Sequence, residues 1–275
     1  MRALAVLGLA AILAGTALAA RPGRVALAPN AIAFRDARHG VMGTGWLGCE
    51  TSAFGCKLQG TISQTSDGGK TWKVALRSPR PVVWVSVDGR TAWARYDDGE
   101  NLRSTNAGRT WHPAVGPTPL ATPCSPGDSV NIAVTTPGGR AWALCVGQPG
   151  AGNVSKSVYR LAGSGWKRIA STEIGRKPGK GGVASYGYPV GMAMADDGFG
   201  LIWESRGTLY VTRDGGYHWT AEPHVARPEV DFGVSGAALP GGVGYLVLSR
   251  GGSMHRRLLV TRDAGRHWRV AHRWR

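Results

Sequence analysis

Thr65-Ser66-Asp67-Gly68-Gly69-Lys70-Thr71-Trp72 decides how this chain folds. The octapeptide reads S/T-x-D-x-G-x-x-W and returns at residues 104–111, 212–219 and 261–268, with Asn106 replacing the Asp in the second copy. Residues 159–166 read as a worn fifth copy that keeps only Gly163 and Trp166. Each intact copy lies between strand-like runs, as Thr61-Ile62-Ser63-Gln64 and Trp72-Lys73-Val74-Ala75-Leu76 flank the first. Asp and Gly between such runs make a tight hairpin. A short carboxylate accepts backbone N–H groups of its own turn, and charge-assisted bonds are worth about 1.5–3 kcal/mol each when shielded from water. Asn106 accepts the same bonds without the charge. The Gly two places on suits a positive φ that other residues adopt at a cost. The Trp opens the next strand and covers the turn, taking roughly 150–250 Å² out of water. Asp67, Asn106, Asp214 and Asp263, with Trp72, Trp111, Trp219 and Trp268, are therefore read as structural. A ligand site has no need of the same turn four times.

Working outward, residues 82–87 and 91–96 are strands joined by Asp88-Gly89, Asp97-Asp98-Gly99 turns into a third, and a fourth opens at Trp111. Four strands in about forty residues make one propeller blade. The same order appears at 129–170, 188–222 and 230–274. Small-then-bulky pairs mark each second strand: Gly40-Val41, Ala92-Trp93, Ala141-Trp142, Gly200-Leu201 and Gly244-Tyr245. The bulky members are expected in the core between blades. Tryptophans 72, 111, 166, 219 and 268 mark the blades. The expected fold is all-β, a β-propeller of four-stranded blades, five by this count and six if one blade is missed. Residues 24–28 are expected to add a strand to the last blade, since an open ring exposes strand edges.

The octapeptide is the Asp box, or BNR repeat. The sequence resembles Asp-box β-propellers, including sialidases and the YCF48-like photosystem assembly and stability factors, over most of the chain after residue 30. That resemblance implies the propeller fold. It implies little about activity, because the box in that family is scaffold away from the catalytic centre.

Arg2, an apolar run over residues 3–13 and Ala17-Leu18-Ala19 make a signal-peptide pattern. The expected plan is a signal peptide at 1–19, a single propeller domain at 20–275, and a secreted or periplasmic location. No Cys near the cleavage site suggests lipid anchoring. Four cysteines in an exported chain point to two disulfides. Sequence proximity favours Cys49–Cys56 and Cys124–Cys145 among the three pairings. Neither C-x-x-C spacing nor a His cluster supports a metal, and no cofactor is expected. Gly43-x-Gly45-x-x-Gly48 matches a dinucleotide fingerprint but lacks the βαβ setting that would give it meaning. The formal charge is +16. Nucleic acid is the usual partner of such a balance; export argues for an acidic envelope polymer, an anionic lipid surface or an acidic protein instead.

If the boxes join third to fourth strands, they share one face. The long connections 47–57, 116–128, 147–154 and 171–187, with both disulfides, then fall on the other. Binding usually lives in such loops. Candidates there are Arg176, Lys177 and Lys180 in a glycine-rich loop, Tyr186 and Tyr188 after it, and Asp97, Asp98, Glu100, Glu204, Arg206, His224 and Arg227. Residues 250–275 carry eight arginines and three histidines, much of it as strand. The preferred function is a non-catalytic exported scaffold that binds a protein or an anionic envelope component. A sialidase-like glycoside hydrolase is the alternative, and a purely structural repeat protein the third reading. The sialidase resemblance implies three arginines, a Tyr–Glu pair and an Asp acid, but the Arg-Ile-Pro motif is absent and Arg24 precedes Val-Ala.

Overall fold

The computed structural model describes residues 29–45, 59–206, 208–227, 230–251 and 255–274. The signal-peptide region, residues 24–28, Gly48, Cys49 and Cys56 lie outside them. The strands form five antiparallel four-stranded meanders. Blade 1 holds β1 (Pro29–Phe34), β2 (Gly40–Gly45), β3 (Gly60–Thr65) and β4 (Lys73–Ser78). Blade 2 holds β5 (Val82–Asp88), β6 (Thr91–Tyr96), β7 (Asn101–Ser104) and β8 (His112–Pro113). Blade 3 holds β9 (Val130–Thr135), β10 (Ala141–Val146), β11 (Lys156–Ala162) and β12 (Gly165–Thr172). Blade 4 holds β13 (Pro189–Met194), β14 (Gly200–Glu204), β15 (Leu209–Thr212) and β16 (Thr220–Ala221). Blade 5 holds β17 (Asp231–Leu239), β18 (Val243–Arg250), β19 (Arg256–Thr261) and β20 (Arg269–Trp274). The five innermost strands β1, β5, β9, β13 and β17 surround an axial channel of ≈ 510 Å³.

The octapeptides join third to fourth strands and repeat one hydrogen-bond scheme. Thr65 Oγ1 donates to Asp67 Oδ1 at 2.8 Å, which also accepts Lys70 N and Thr71 N at 2.9 and 3.0 Å. Trp72 Nε1 donates to Gly69 O, and Trp111, Trp219 and Trp268 do the same to the glycine three places back. That glycine has φ of 80–92° in all four copies. The residue before it is also left-handed, although it is Ala107 (φ 60°) and Ala264 (φ 56°) in two of them. Its N–H reaches the first hairpin of the same blade: Gly68 to Arg38, Ala107 to Arg90, Gly215 to Gly198 and Ala264 to Gly242. Both hairpins of a blade therefore occupy one end of the molecule. Blade 3 departs from the expected worn copy. Ala162 pairs with Gly165, leaving a two-residue hairpin, and the Trp166 indole donates to Ala121 O instead.

Residues of the second and third strands, with Phe34 from a first strand, fill the seams between blades. Val41, Ile62, Ala94 and Leu102 pack blades 1 and 2; Trp142, Leu144, Ile202 and Tyr210 pack 3 and 4. Leu201, Leu209, Leu246 and Leu259 pack 4 and 5, and Phe34, Met42, Tyr245 and Leu258 pack 5 and 1. Full burial of such a side chain contributes about 1.5–3 kcal/mol gross. These four seams also carry bonds between blades: Gln64 to Ala107 O, Trp142 to Gly215 O, Arg213 to Ala264 O and Tyr245 to Ala37 O.

The seam between blades 2 and 3 differs. Among the described residues no buried apolar cluster spans it. Trp93, expected in the core with Val41, Trp142, Leu201 and Tyr245, is only partly buried, whereas those four are at 1% exposure or less. Its face of blade 2 also carries Trp84, Arg95 and Arg103, and the two guanidiniums lie over the two indoles. Ala92 and Ala94 take the buried side of the strand instead. The connection from β8 to β9 is tied to blade 3 by the Cys124–Cys145 disulfide and by Trp166.

Candidate functional site at the loop end

The second-to-third and fourth-to-first connections lie opposite the octapeptide turns, and the sequence candidates separate there into distinct groups. Tyr186, Tyr188, Glu204 and Arg206 come together where blades 3 and 4 meet. Arg206 follows β14, and its guanidinium lies 5.7 Å from the Tyr186 ring centre and 5.5 Å from that of Tyr188. Tyr188 is held from below, its hydroxyl accepting Gly152 N at 3.1 Å. Gly187 N donates to Gly152 O, and Ser205 N to Tyr188 O.

Beneath this layer is a residue that the sequence reading missed. Lys156 opens β11, and its ammonium donates to Glu204 Oε1 at 2.5 Å, Ala184 O at 2.6 Å and Tyr186 O at 2.8 Å. Both charged side chains are fully buried. Three donors meet three acceptors, so one ammonium ties the third strand of blade 3, the second strand of blade 4 and the loop between those blades. Burial pushes Glu204 up to about 7 against the pull of Lys156, and pushes Lys156 down against the pull of Glu204. Tyr210, over whose ring Lys156 lies, is raised by its own burial and then by Glu204. Glu204 Oε2 is buried without a hydrogen-bond partner. A Cβ at Gly187 would stand 2.3 Å from that oxygen, so the loop passes over the carboxylate only as glycine. A signal for Lys156 existed: Val158 lies two places along the same strand on the same face, and both are buried.

Arg176, Lys177 and Lys180 lie exposed on the loop leading into this cluster, with Arg176 paired to Glu173 at 3.1 Å. Ile174 and Tyr186 expose 46% and 38% of their surface, so the patch is apolar and aromatic as well as basic. Asp97, Asp98 and Glu100 do not join it. They sit at the second-to-third connection of blade 2, where Arg80 binds Asp98 and Glu100 at 2.7 Å each and covers the Tyr96 ring. His224 is exposed beside Glu222, and Arg227 lies on the connection into blade 5, next to Asp231. No helix among the described residues is long and apolar enough to cross a membrane.

No protein-family profile matches the chain, and no curated protein does. Among solved structures it is similar to YCF48 from Cyanidioschyzon merolae, at 15% identity and TM-score 0.44, covering 90% of this chain and 98% of that one. It is similar also to a structure of YCF48 bound to D1 peptide, at 16% identity and TM-score 0.36, covering 89% and 81%. A Hadza microbial sialidase matches at 15% identity and TM-score 0.40, covering 88% of this chain and 57% of that one. At such identities and TM-scores the activities of these proteins are not transferred to this chain. The chain itself is an all-β propeller of five four-stranded blades.

Proposed function

We propose that the chain is an exported, non-catalytic β-propeller that binds a partner protein at its loop end, with the octapeptides serving as Asp-box scaffold turns and residues 1–19 as its export signal. The observation that carries this reading is the Tyr186–Arg206–Tyr188 layer fixed on a fully buried ion pair. A guanidinium held between aromatic rings, with exposed Ile174 and a loop bearing Arg176, Lys177 and Lys180, suits an acidic segment that carries an apolar anchor. Building it on strand ends avoids ordering a free loop at the moment of binding. Chemistry on a glycoside is less well supported. Glu204 is committed to Lys156, and the Tyr210 hydroxyl accepts Ala184 N.

An array of acidic peptides with and without aromatic anchors, probed with the purified chain, tests the reading. Anchored acidic peptides are expected to bind, and Arg206→Ala or Tyr186→Ala to weaken them at least tenfold. Turnover of aryl-glycoside reporters that disappears with Glu204→Gln would overturn it in favour of a hydrolase.

A further inference from the structure

We propose that the loop end of blade 5 is a separate binding site for a diphosphate group. It is a basin of ≈ 660 Å³ whose charged walls are Arg227, Arg250, Arg256, Arg257 and Arg273, with Asp231 as the one acid among its described lining residues. The register makes this convergence. Arg257 pairs directly with Arg273 across β19 and β20, and Asp231 with Arg250 across β17 and β18. Arg227 arrives from the connection out of blade 4.

The basin is built. Asp231 is 1% exposed and accepts Arg227 N at 3.0 Å and Arg257 Nη2 at 2.9 Å, with Arg227 Nε at 3.6 Å. Its charge is spent on holding two guanidiniums in place. Arg256 is fixed from the other side by Pro29 O and Asn30 Oδ1, and its Nε is buried with no partner. Arg250 and Arg273 are exposed and form no ion pair among the described residues. With Arg256 committed to blade 1, four guanidiniums against one carboxylate leave about three positive charges in a space of small-molecule size.

A single carboxylate supplies one charge and two acceptor oxygens. A diphosphate supplies about three charges and several oxygens in a compact body, and each phosphate matches the planar fork of an arginine. All five cations here are arginines and none is lysine. Trp274 and Leu248 add an apolar side to the basin, so the diphosphate is either free or borne on a lipid. The two sources share the headgroup chemistry and differ in the tail.

Isothermal titration of the purified chain with inorganic pyrophosphate and, separately, with farnesyl diphosphate tests the assignment, at constant ionic strength and with chelator present. Saturable one-to-one binding is expected for both. Equal affinities indicate the free anion, and tighter farnesyl binding a lipid-borne one. Arg250→Gln with Arg273→Gln, both at exposed positions, is expected to weaken binding at least tenfold while the thermal melt is kept. Lys177→Ala with Lys180→Ala, at the blade 3–4 patch, is expected to leave it unchanged. The assignment fails if neither diphosphate saturates by millimolar concentration, if both double variants lose affinity equally, or if a glutamate-rich peptide competes at equal charge concentration. Peptide binding at Tyr186 and Arg206 is read by different variants, so either site is able to fail without the other.

Discussion

Lys156→Met removes the ammonium that ties blade 3, blade 4 and the 173–188 loop, and leaves Glu204 buried without its partner. An unfolded glutamate ionises near 4.5. If the variant folds only with Glu204 neutral, the carboxyl must take up a proton on folding. That step costs about 0.8 kcal/mol at pH 5 and about 4.8 kcal/mol at pH 8. The sign is that of a group whose folded pKa is raised. Its contribution is intact below the unfolded pKa and is lost as pH rises toward and through the folded one. Urea unfolding followed by tryptophan fluorescence at pH 5 and pH 8 is the assay. The unfolding free energy of Lys156→Met is expected to fall by several kcal/mol between pH 5 and pH 8, more steeply than that of the wild type, whose Glu204 is itself raised to about 7, and Lys156→Met with Glu204→Gln is expected to show no such fall. A fall no steeper in Lys156→Met than in the wild type, or one that persists in the double variant, would refute the reasoning.

Replacing Cys124 and Cys145 with Ser opens a loop closed across 21 positions, an expected loss of about 3 kcal/mol on the chain-entropy account; hydrogen exchange should rise in 114–128 and along the seam between blades 2 and 3 before it rises in the octapeptide turns. Ala264→Gly relieves a left-handed alanine and should raise the urea midpoint by up to about 1 kcal/mol of stability, whereas β-branched Ala264→Val should lower it. Asn106→Asp gives the second octapeptide the carboxylate of the first. Desolvation is the largest single influence on Asp67 and raises it, but the hydrogen bonds of Thr71, Thr65 and Lys70 together outweigh it and lower the carboxyl to about 2. The variant should therefore gain a few tenths of a kcal/mol above pH 4, after screening at an exposed site, and lose it as pH falls from 4 toward 2; an unchanged wild-type difference between pH 6 and pH 2 would count against it.

The fold was legible because its instructions are local. Asp67, Gly69 and Trp72 close a turn with partners within five residues, and the same is true of their three counterparts. The second strands announced four of five seams by the same logic. Trp93 did not, because no buried apolar cluster among the described residues meets its side of blade 2, a fact settled by the neighbour and not by the strand itself. Blade 3 has a two-residue hairpin in place of the octapeptide turn, and Trp166 turns away to Ala121 on a disulfide-tied loop. At the candidate site Tyr186, Tyr188, Glu204 and Arg206 were legible as loop-end residues, but their assembly depends on Lys156, which is 48 positions from its carboxylate. Nothing in sequence proximity joins those two. Asp97 and Asp98 looked equivalent to Glu204 along the chain and differ in space, since Arg80 holds Asp98 on another blade.

Hydroxyl-radical footprinting of the chain, free and saturated with an acidic peptide selected on the array, tests the central claim most directly. Protection is expected at Ile174, Tyr186, Tyr188 and Arg206, with reactivity unchanged at Trp72, Trp111, Trp219 and Trp268. Protection centred on those four tryptophans, with Tyr186 unaltered, would place binding at the turn end of the propeller and contradict the account.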